Sequence, residues 1–306
     1  MKITLLQTDI VWASPQENIE RVEKLMQQSG VADLYVLPEM WATGFATEPE
    51  GIAEDEQASI ALKWMKQTAQ QKNCALSGSL AISTPATGGD GSGLTYRNRH
   101  YFVTPQGVTF YDKHHLFTYG HEDEHFTAGQ EAVVVEWQGW RLLLQTCYDL
   151  RFPCFSRYGR SFGERFLVKG EGKIHSPAEL SSTHPSPLTT HHSPLIYDAI
   201  IYVANWPEKR QLAWDTLVRA RAIENQCYVV AVNRTGEASP SPSKGGEPSS
   251  TSGKSGEVYA GGSVIIDPVG RTIAECPAGE HSATAEIVIE KLRDMRSRFR
   301  VLDDRD

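Results

Sequence analysis

Short apolar runs alternate with helix-like segments along most of this sequence. The runs are rich in β-branched and aromatic residues, as buried strands are. They include LYVLP (34–38), RLLLQTC (141–147), DAIIYVANW (198–206) and CYVVAVNR (227–234). Residues 212–226 predict a helix with Leu217, Ala220 and Ile223 or Glu224 along one face. Strands that alternate with helices indicate a layered α/β fold.

Two segments interrupt this alternation. Residues 157–196 are rich in Ser, Pro, Thr and His, and residues 237–256 are nearly devoid of apolar side chains. We therefore expect a single domain over residues 1–306 with loop insertions at 157–196 and 237–256. The second insertion is typical of a flexible surface loop. The first could be a disordered loop or a lid.

The charge balance argues against two classes of partner. The net charge of -8 is spread along the chain, which favours neither nucleic acid nor an anionic membrane surface. No apolar stretch approaches the roughly 18–20 residues that span a bilayer. The N-terminal MKITLLQTDIVW is typical of a first strand rather than a signal peptide. We expect a small-molecule ligand, with no nucleic-acid and no membrane partner.

The cysteine and histidine patterns predict neither disulfides nor metal. The chain has five cysteines, an odd number without a CxxC pair. This pattern favours a reducing, cytoplasmic location. The first insertion contains four histidines without regular ligand spacing, so we expect no metal site and no cofactor. They are His175, His184, His191 and His192.

Several strand-like runs end in residues that can do chemistry. Glu39 ends LYVLPE, Lys113 ends VTFYDK, and Cys147 ends LLLQTC. Asn205 and Trp206 end another run. Sites in α/β sheets form at the carboxyl ends of strands, so neighbouring strands could bring these groups together.

A carboxylate, an ammonium and a thiol together suit nucleophilic catalysis. Glu39 could accept the thiol proton, and Lys113 could stabilise both the thiolate and the oxyanion of a tetrahedral intermediate. Each residue also has a structural interpretation: Cys147 as a small buried hydrophobe, Lys113 as a strand-end lysine and Glu39 as a helix-start carboxylate. Their shared placement favours catalysis without deciding it.

Three segments resemble the signature motifs of the nitrilase superfamily, the carbon–nitrogen hydrolases. They are LPEMWATGF (37–45), YDKHHLF (111–117) and CYDLRFP (147–153), and residues 202–207 and 214–236 match further family segments. The resemblance implies an α/β fold of the four-layer α-β-β-α sandwich type. It also implies a homodimer or a higher homo-oligomer.

The same resemblance implies catalytic roles. Glu39 is expected to be the general base, Lys113 the oxyanion-stabilising lysine and Cys147 the nucleophile. A second glutamate is expected in HEDEHFTAG (121–129), with Glu122 preferred and Glu124 as the competing assignment.

The residues after the cysteine resemble the ω-amidase branch of the superfamily. This similarity implies hydrolysis of a small ω-amide, such as 2-oxoglutaramate or 2-oxosuccinamate, through a cysteine thioester. The alternatives are an N-carbamoyl amino acid or β-ureidopropionate-type amidohydrolase, an acyl transferase, or a protein of the same fold without activity.

An ω-amidase must also hold the distal carboxylate of its substrate. Arg151 could supply a guanidinium fork for it, or could instead form a structural salt bridge with Asp149 or another nearby acid. Aromatic side chains are expected to wall a small pocket, although Phe45 could simply belong to the core. The predicted substrate-binding residues are Trp41, Phe45, Tyr148, Arg151 and Trp206.

Overall fold

A computed structural model gives the structure of the chain. It describes residues 1–86, 93–157, 197–238 and 256–304, together with the backbone of 166–170 and 173–175. Most of the two predicted loop insertions, at 157–196 and 237–256, therefore lies outside the described residues. For the residues outside the described ranges, the loop character stays a prediction, whereas 166–170 and 173–175 form strands.

The first sheet contains seven strands within the described ranges. They are β1 (Lys2–Gln7), β2 (Leu34–Val36), β3 (Glu54–Asp55), β4 (Ala75–Pro85), β5 (Leu94–Thr104), β6 (Gly107–Asp112) and, near the end of the chain, β17 (His281–Glu286). Their order is β17-β1-β2-β4-β5-β6, with β3 paired to β4. Strands β1, β2 and β4 run parallel, so their carboxyl ends lie at one edge.

The second sheet contains eight described strands. They are β7 (Ala132–Trp137), β8 (Trp140–Thr146), β9 (Phe166–Gly170), β10 (Lys173–His175), β11 (Ala199–Ala204), β12 (Tyr228–Asn233), β15 (Val264–Ile266) and β16 (Thr272–Glu275). Their order is β10-β9-β7-β8-β11-β12-β15-β16. A separate hairpin joins β13 (Thr235–Glu237) to β14 (Val258–Ala260). Strands β9 and β10 fall inside the first predicted insertion and extend the edge of this sheet beside β7.

Helices cover the outer faces of both sheets. The helices are α1 (Pro15–Ser29), α2 (Ile60–Lys72), α3 (Glu122–His125), α4 (Pro153–Ser156), α5 (Gln211–Glu224) and α6 (Ile289–Arg298). The helices α1 and α2 pack on the first sheet, and α5 packs on β12 and β15 of the second. The layers are thus helix, sheet, sheet and helix, which confirms the expected four-layer sandwich.

Strand β1 shows how the sequence produces these layers. Ile3 and Leu5 lie in the core between the two sheets, whereas Leu6 lies in the core beneath α1 and α2. Side chains alternate along a strand, so a strand covered on both faces needs apolar residues at consecutive positions. The unbroken apolar runs of the sequence are the result.

The inner face of α5 differs from the prediction. The helix buries Trp214, Val218 and Ala222, whereas Ile223 is 50% exposed. The prediction was therefore wrong for Ile223, whereas Leu217 is half-buried and packs against the core. This helix carries apolar residues on its outer side as well, so periodicity alone could not identify the buried side.

The described helices are short. None of them is both long enough and apolar enough to cross a bilayer.

Candidate active site

Cys147 occupies a sharp turn between a strand and a helical turn. It directly follows β8 and begins a 3₁₀ turn over residues 147–151. Its φ of 46° lies in the left-handed region, which is costly for a residue with a Cβ. The residue is 9% exposed and lines a cavity. A strained turn that presents a thiol to a cavity is typical of a functional position.

Asp149 braces this turn. Its buried carboxylate accepts hydrogen bonds from the Thr146 backbone N–H at 2.9 Å and from the Tyr111 hydroxyl at 2.7 Å. The backbone N–H of His115 donates to it at 3.0 Å. These bonds join the cysteine turn of the second sheet to the segment after β6 of the first sheet.

Lys113 lies between two glutamates at the base of the site. Its Nζ is 2.9 Å from Glu39 Oε1 and 2.8 Å from Glu122 Oε2. All three side chains are buried. Glu39 follows β2, Lys113 follows β6 and Glu122 begins α3, so three separate elements deliver one cluster. The structure brings Glu122 to Lys113, whereas Glu124 is exposed and bonds His121.

Asn98 links the two glutamates. Its Nδ2 lies 2.8 Å from Glu39 Oε1 and 2.9 Å from Glu122 Oε1. The Ser79 hydroxyl in turn donates to Asn98 Oδ1 at 2.8 Å, which fixes the orientation of the amide. The residues Glu39, Asn98, Lys113 and Glu122 are called the charged floor below.

Glu39 is also held from the second sheet. The backbone N–H of Asn205 donates to Glu39 Oε2 at 2.9 Å, and Asn205 Nδ2 donates to the Glu39 carbonyl oxygen at 2.6 Å. The Cys147 Sγ lies 3.9 Å from the Asn205 carbonyl oxygen. Asn205 therefore contacts both the carboxylate and the thiol.

The electrostatics of the charged floor keep the lysine protonated. Burial alone would lower the pKa of Lys113, but the charges of Glu122 and Glu39 outweigh it and raise that pKa above its ordinary value. Burial raises the pKa of the Glu122 carboxyl, a shift that Glu39 increases and Lys113 opposes. Both shifts result from the same contact, in which one ammonium is shared by two carboxylates.

The surroundings of the Cys147 thiol favour its protonated form. Burial, followed by the charge of Glu39, raises the pKa of Cys147 well above its ordinary value, although the charge of Lys113 acts in the opposite direction. A thiol with a raised pKa needs a base to form the thiolate, which is its reactive form. Glu39 is the carboxylate whose charge the thiol senses most strongly.

The cavity in front of Cys147 has a volume of about 330 Å³. Aromatic rings form much of its lining, and three cationic side chains lie among them. The aromatic residues are Phe45, Phe117, Tyr119, Tyr148, Trp206 and Tyr259, and the cations are Arg151, Lys209 and Arg210. Lys209 Nζ is paired with Glu257 Oε2 at 2.6 Å. Arg151 and Arg210 are called the basic wall below.

Four of the five predicted substrate-binding residues line this cavity. They are Phe45, Tyr148, Arg151 and Trp206. The prediction for Trp41 is wrong, because its side chain is fully buried in the core under α1 and α2, with its ring centroid 5.3 Å from that of Trp64. Trp41 lies only two residues after Glu39, but it faces the outer helices and not the cavity.

The structure removes one of the two interpretations of Arg151. Asp149 bonds Tyr111 and His115, and the part of the chain described here shows no salt bridge from Arg151 to Asp149. The Arg151 guanidinium instead lies 5.0 Å from the Trp206 ring centroid. Its charge faces the cavity.

Sequence reasoning missed Asn98 and Arg210. Asn98 lies within a strand-like run, where asparagine is an unfavourable residue, and that disfavoured placement was the available signal. Arg210 precedes α5 and has no motif around it. Among the described residues, no three His, Cys, Asp or Glu side chains form a group that could hold a metal ion. The side chains of the four insertion histidines lie outside the described residues.

Comparison with known proteins places this site in a family. A family model for carbon–nitrogen hydrolases matches residues 2–297. The chain belongs to the carbon–nitrogen hydrolase family. This result confirms the family that the three motifs predicted. The protein is therefore a hydrolase that acts on carbon–nitrogen bonds.

Similar proteins match this hydrolase over nearly its whole length. The ω-amidase YafV of Escherichia coli (strain K12) is 36% identical over 312 residues, covering 100% of this chain and 97% of the relative. The 2-oxoglutaramate amidase of Bacillus subtilis (strain 168) is 31% identical, covering 99% and 96%. The crystal structure of XC1258 from Xanthomonas campestris, a CN-hydrolase superfamily protein with an arsenic adduct in its active site, is 33% identical with a TM-score of 0.78, covering 100% and 97%.

Proposed function

We propose that this hydrolase is an ω-amidase that cleaves the terminal amide of a small ω-amide acid, such as 2-oxoglutaramate or 2-oxosuccinamate. The observation that carries the proposal is a buried lysine between two glutamates, beside a thiol that opens onto a small cavity with a basic wall. Similar proteins named ω-amidase and 2-oxoglutaramate amidase support it. The cavity volume, about 330 Å³, suits a small molecule.

The first half of the reaction forms a thioester. Glu39 accepts the proton of Cys147 while Sγ attacks the amide carbon, since burial and the charge of Glu39 raise the pKa of the thiol and favour its protonated form. The Lys113 ammonium and the backbone N–H of Tyr148 donate to the developing oxyanion. Protonated Glu39 then delivers its proton to the amide nitrogen, and ammonia leaves.

The second half of the reaction releases the acid. Glu39 accepts a proton from water as the water oxygen attacks the thioester carbon, and it then returns that proton to the departing Cys147 sulfur. Glu122 holds Lys113 in place through its hydrogen bond to the ammonium. Arg151 contacts the distal carboxylate, while Phe45, Tyr148 and Trp206 exclude water from the reacting bond.

A substrate screen tests this proposal. Ammonia release is measured with 2-oxoglutaramate, 2-oxosuccinamate, N-carbamoyl-β-alanine and simple nitriles, with the Cys147→Ala variant as the blank. We expect ammonia without carbon dioxide from the two oxo-amides, and a loss of roughly 10⁴-fold or more in the variant. Release of carbon dioxide would identify a carbamoyl-amide hydrolase, and hydroxamate formed with added hydroxylamine would reveal acyl transfer.

We also propose a cytoplasmic homodimer. The odd number of cysteines, without close pairs, supports a reducing compartment. The dimer follows from the family resemblance. Light scattering coupled to size exclusion is expected to give twice the chain mass of 34.0 kDa, and a value equal to the chain mass would contradict the dimer.

A further inference from the structure

Arg210 is attached to the base of the site through its backbone. The Trp206 Nε1 donates to the Arg210 carbonyl oxygen at 2.8 Å. Asn205, the residue before Trp206, donates its backbone N–H to Glu39 at 2.9 Å. A short series of hydrogen bonds thus fixes the start of the Arg210 side chain relative to the catalytic carboxylate.

The guanidinium of Arg210 has no hydrogen-bond or ion-pair partner among the described residues. The side chain is half-buried and lines the cavity, with its Cζ 5.3 Å from the Phe117 ring centroid. Every other described arginine that is buried or half-buried makes a hydrogen bond or an ion pair. The others are Arg21, Arg97, Arg99, Arg141, Arg221, Arg234 and Arg296.

A partly desolvated charge without a partner destabilises the fold, because burial removes water that the protein does not replace. The neighbouring cation Lys209 differs, since Glu257 already neutralises it. Arg151 also lacks a described ion-pair partner, but it is exposed. Of the cavity cations, Arg210 therefore gains most from an anionic ligand.

We infer that Arg210 is the main anchor for the substrate carboxylate and selects acid amides over neutral ones, with Arg151 adding a more exposed second contact. This inference rests on the proposed ω-amidase function and specifies how the same site recognises its substrate. A guanidinium offers two parallel N–H groups that match a carboxylate, which an ammonium cannot do.

The test compares an acid amide with its neutral methyl ester. Succinamate and its methyl ester carry the same terminal amide, and the ester lacks the anion. We expect Arg210→Met to lower the ratio of kcat/KM for the acid to kcat/KM for the ester by roughly 10- to 100-fold, mainly through KM. Arg210→Lys should restore part of that ratio, because the charge returns without the fork.

A distant arginine provides the matched control. Arg298→Met makes the same change of side chain and charge at an exposed position paired with Asp294, so its ratio should equal that of the wild type. An equal loss on acid and ester in Arg210→Met would mean a structural role and would overturn the inference.

A binding measurement separates this inference from the proposed function. The probe is 2-oxoglutarate, the acid that hydrolysis of 2-oxoglutaramate produces, titrated into the Cys147→Ala protein by calorimetry. Adding Arg210→Met should weaken binding at least about tenfold. Unchanged affinity would overturn the anchor even if the wild type hydrolyses oxo-amides. Arg210-dependent binding without ammonia release would instead overturn the ω-amidase proposal and leave the anchor standing.

Discussion

The charged floor and the basic wall of the cavity differ in how their charges are paired. In the floor, Lys113 contacts Glu39 and Glu122 at 2.9 Å and 2.8 Å, and all three side chains are buried. In the wall, neither Arg151 nor Arg210 has an ion-pair partner among the described residues. The ion pairs of the floor are formed before substrate binds, whereas the cations of the wall pair with a bound anion.

This difference separates the two tasks of the site. A floor that is already paired and oriented can stabilise charge in the transition state without reorganising. A wall with unpaired cations contributes mainly to binding and to the choice of substrate. Substitutions in the floor should therefore lower kcat, and substitutions in the wall should raise KM.

Glu39→Gln should give the largest effect within the floor. The amide cannot accept the thiol proton, so kcat should fall by roughly 10²–10⁴-fold while the protein stays folded. Ammonia release with circular dichroism as the folding control measures this. A stable thioester that accumulates in the variant would show that Glu39 serves only the hydrolysis step.

The second glutamate can be tested against its neighbour. Glu122→Gln removes one charged hydrogen bond from Lys113 and should lower kcat by about 10- to 100-fold. Glu124→Gln makes the same chemical change at an exposed position two residues away and should match the wild type. Equal activity of the two variants would show that the contact of Glu122 with Lys113 does not contribute to catalysis.

The pKa of the thiol predicts how alkylation depends on pH. Because burial and Glu39 raise the pKa of Cys147, higher pH should convert more thiol to thiolate throughout the range from about pH 6 to about pH 9. The rate of modification by a neutral maleimide should therefore rise over that range, by up to about tenfold per pH unit. Mass spectrometry identifies the modified cysteine, with Cys147→Ala as the control. A rate that is already constant near neutral pH would indicate a preformed thiolate.

Arg151→Met should give the smallest effect. The guanidinium is exposed, so solvent and salt screen its interaction with a carboxylate. We expect KM for an acid amide to rise less than about tenfold, and by more than kcat falls. Steady-state kinetics at two ionic strengths measure this. A loss confined to kcat would show that Arg151 does not bind the substrate carboxylate.

The three residues at the ends of strand-like runs were the most predictable part of the site. Glu39 and Lys113 follow strands of the first sheet, whose carboxyl ends share one edge, and Cys147 follows β8 of the second sheet, which packs against the first. Trp41 was not predictable in the same way, because the turn after β2 decides which of two cores receives each side chain. Asn98 lies within β5, and its contact with both glutamates depends on α3 lying next to that strand.

The sequence by itself determined the layered α/β fold and the family, and it predicted Glu39, Lys113 and Cys147 as site residues, because these depend on local patterns and short motifs. Only the tertiary structure decided the partner of Lys113 between Glu122 and Glu124, the exclusion of Trp41 from the cavity and the unpaired charge of Arg210. Each of these depends on contacts between residues far apart in the chain. The Arg151 question was decided in the same way: Asp149 is engaged by Tyr111 and His115, which leaves the arginine to face the cavity.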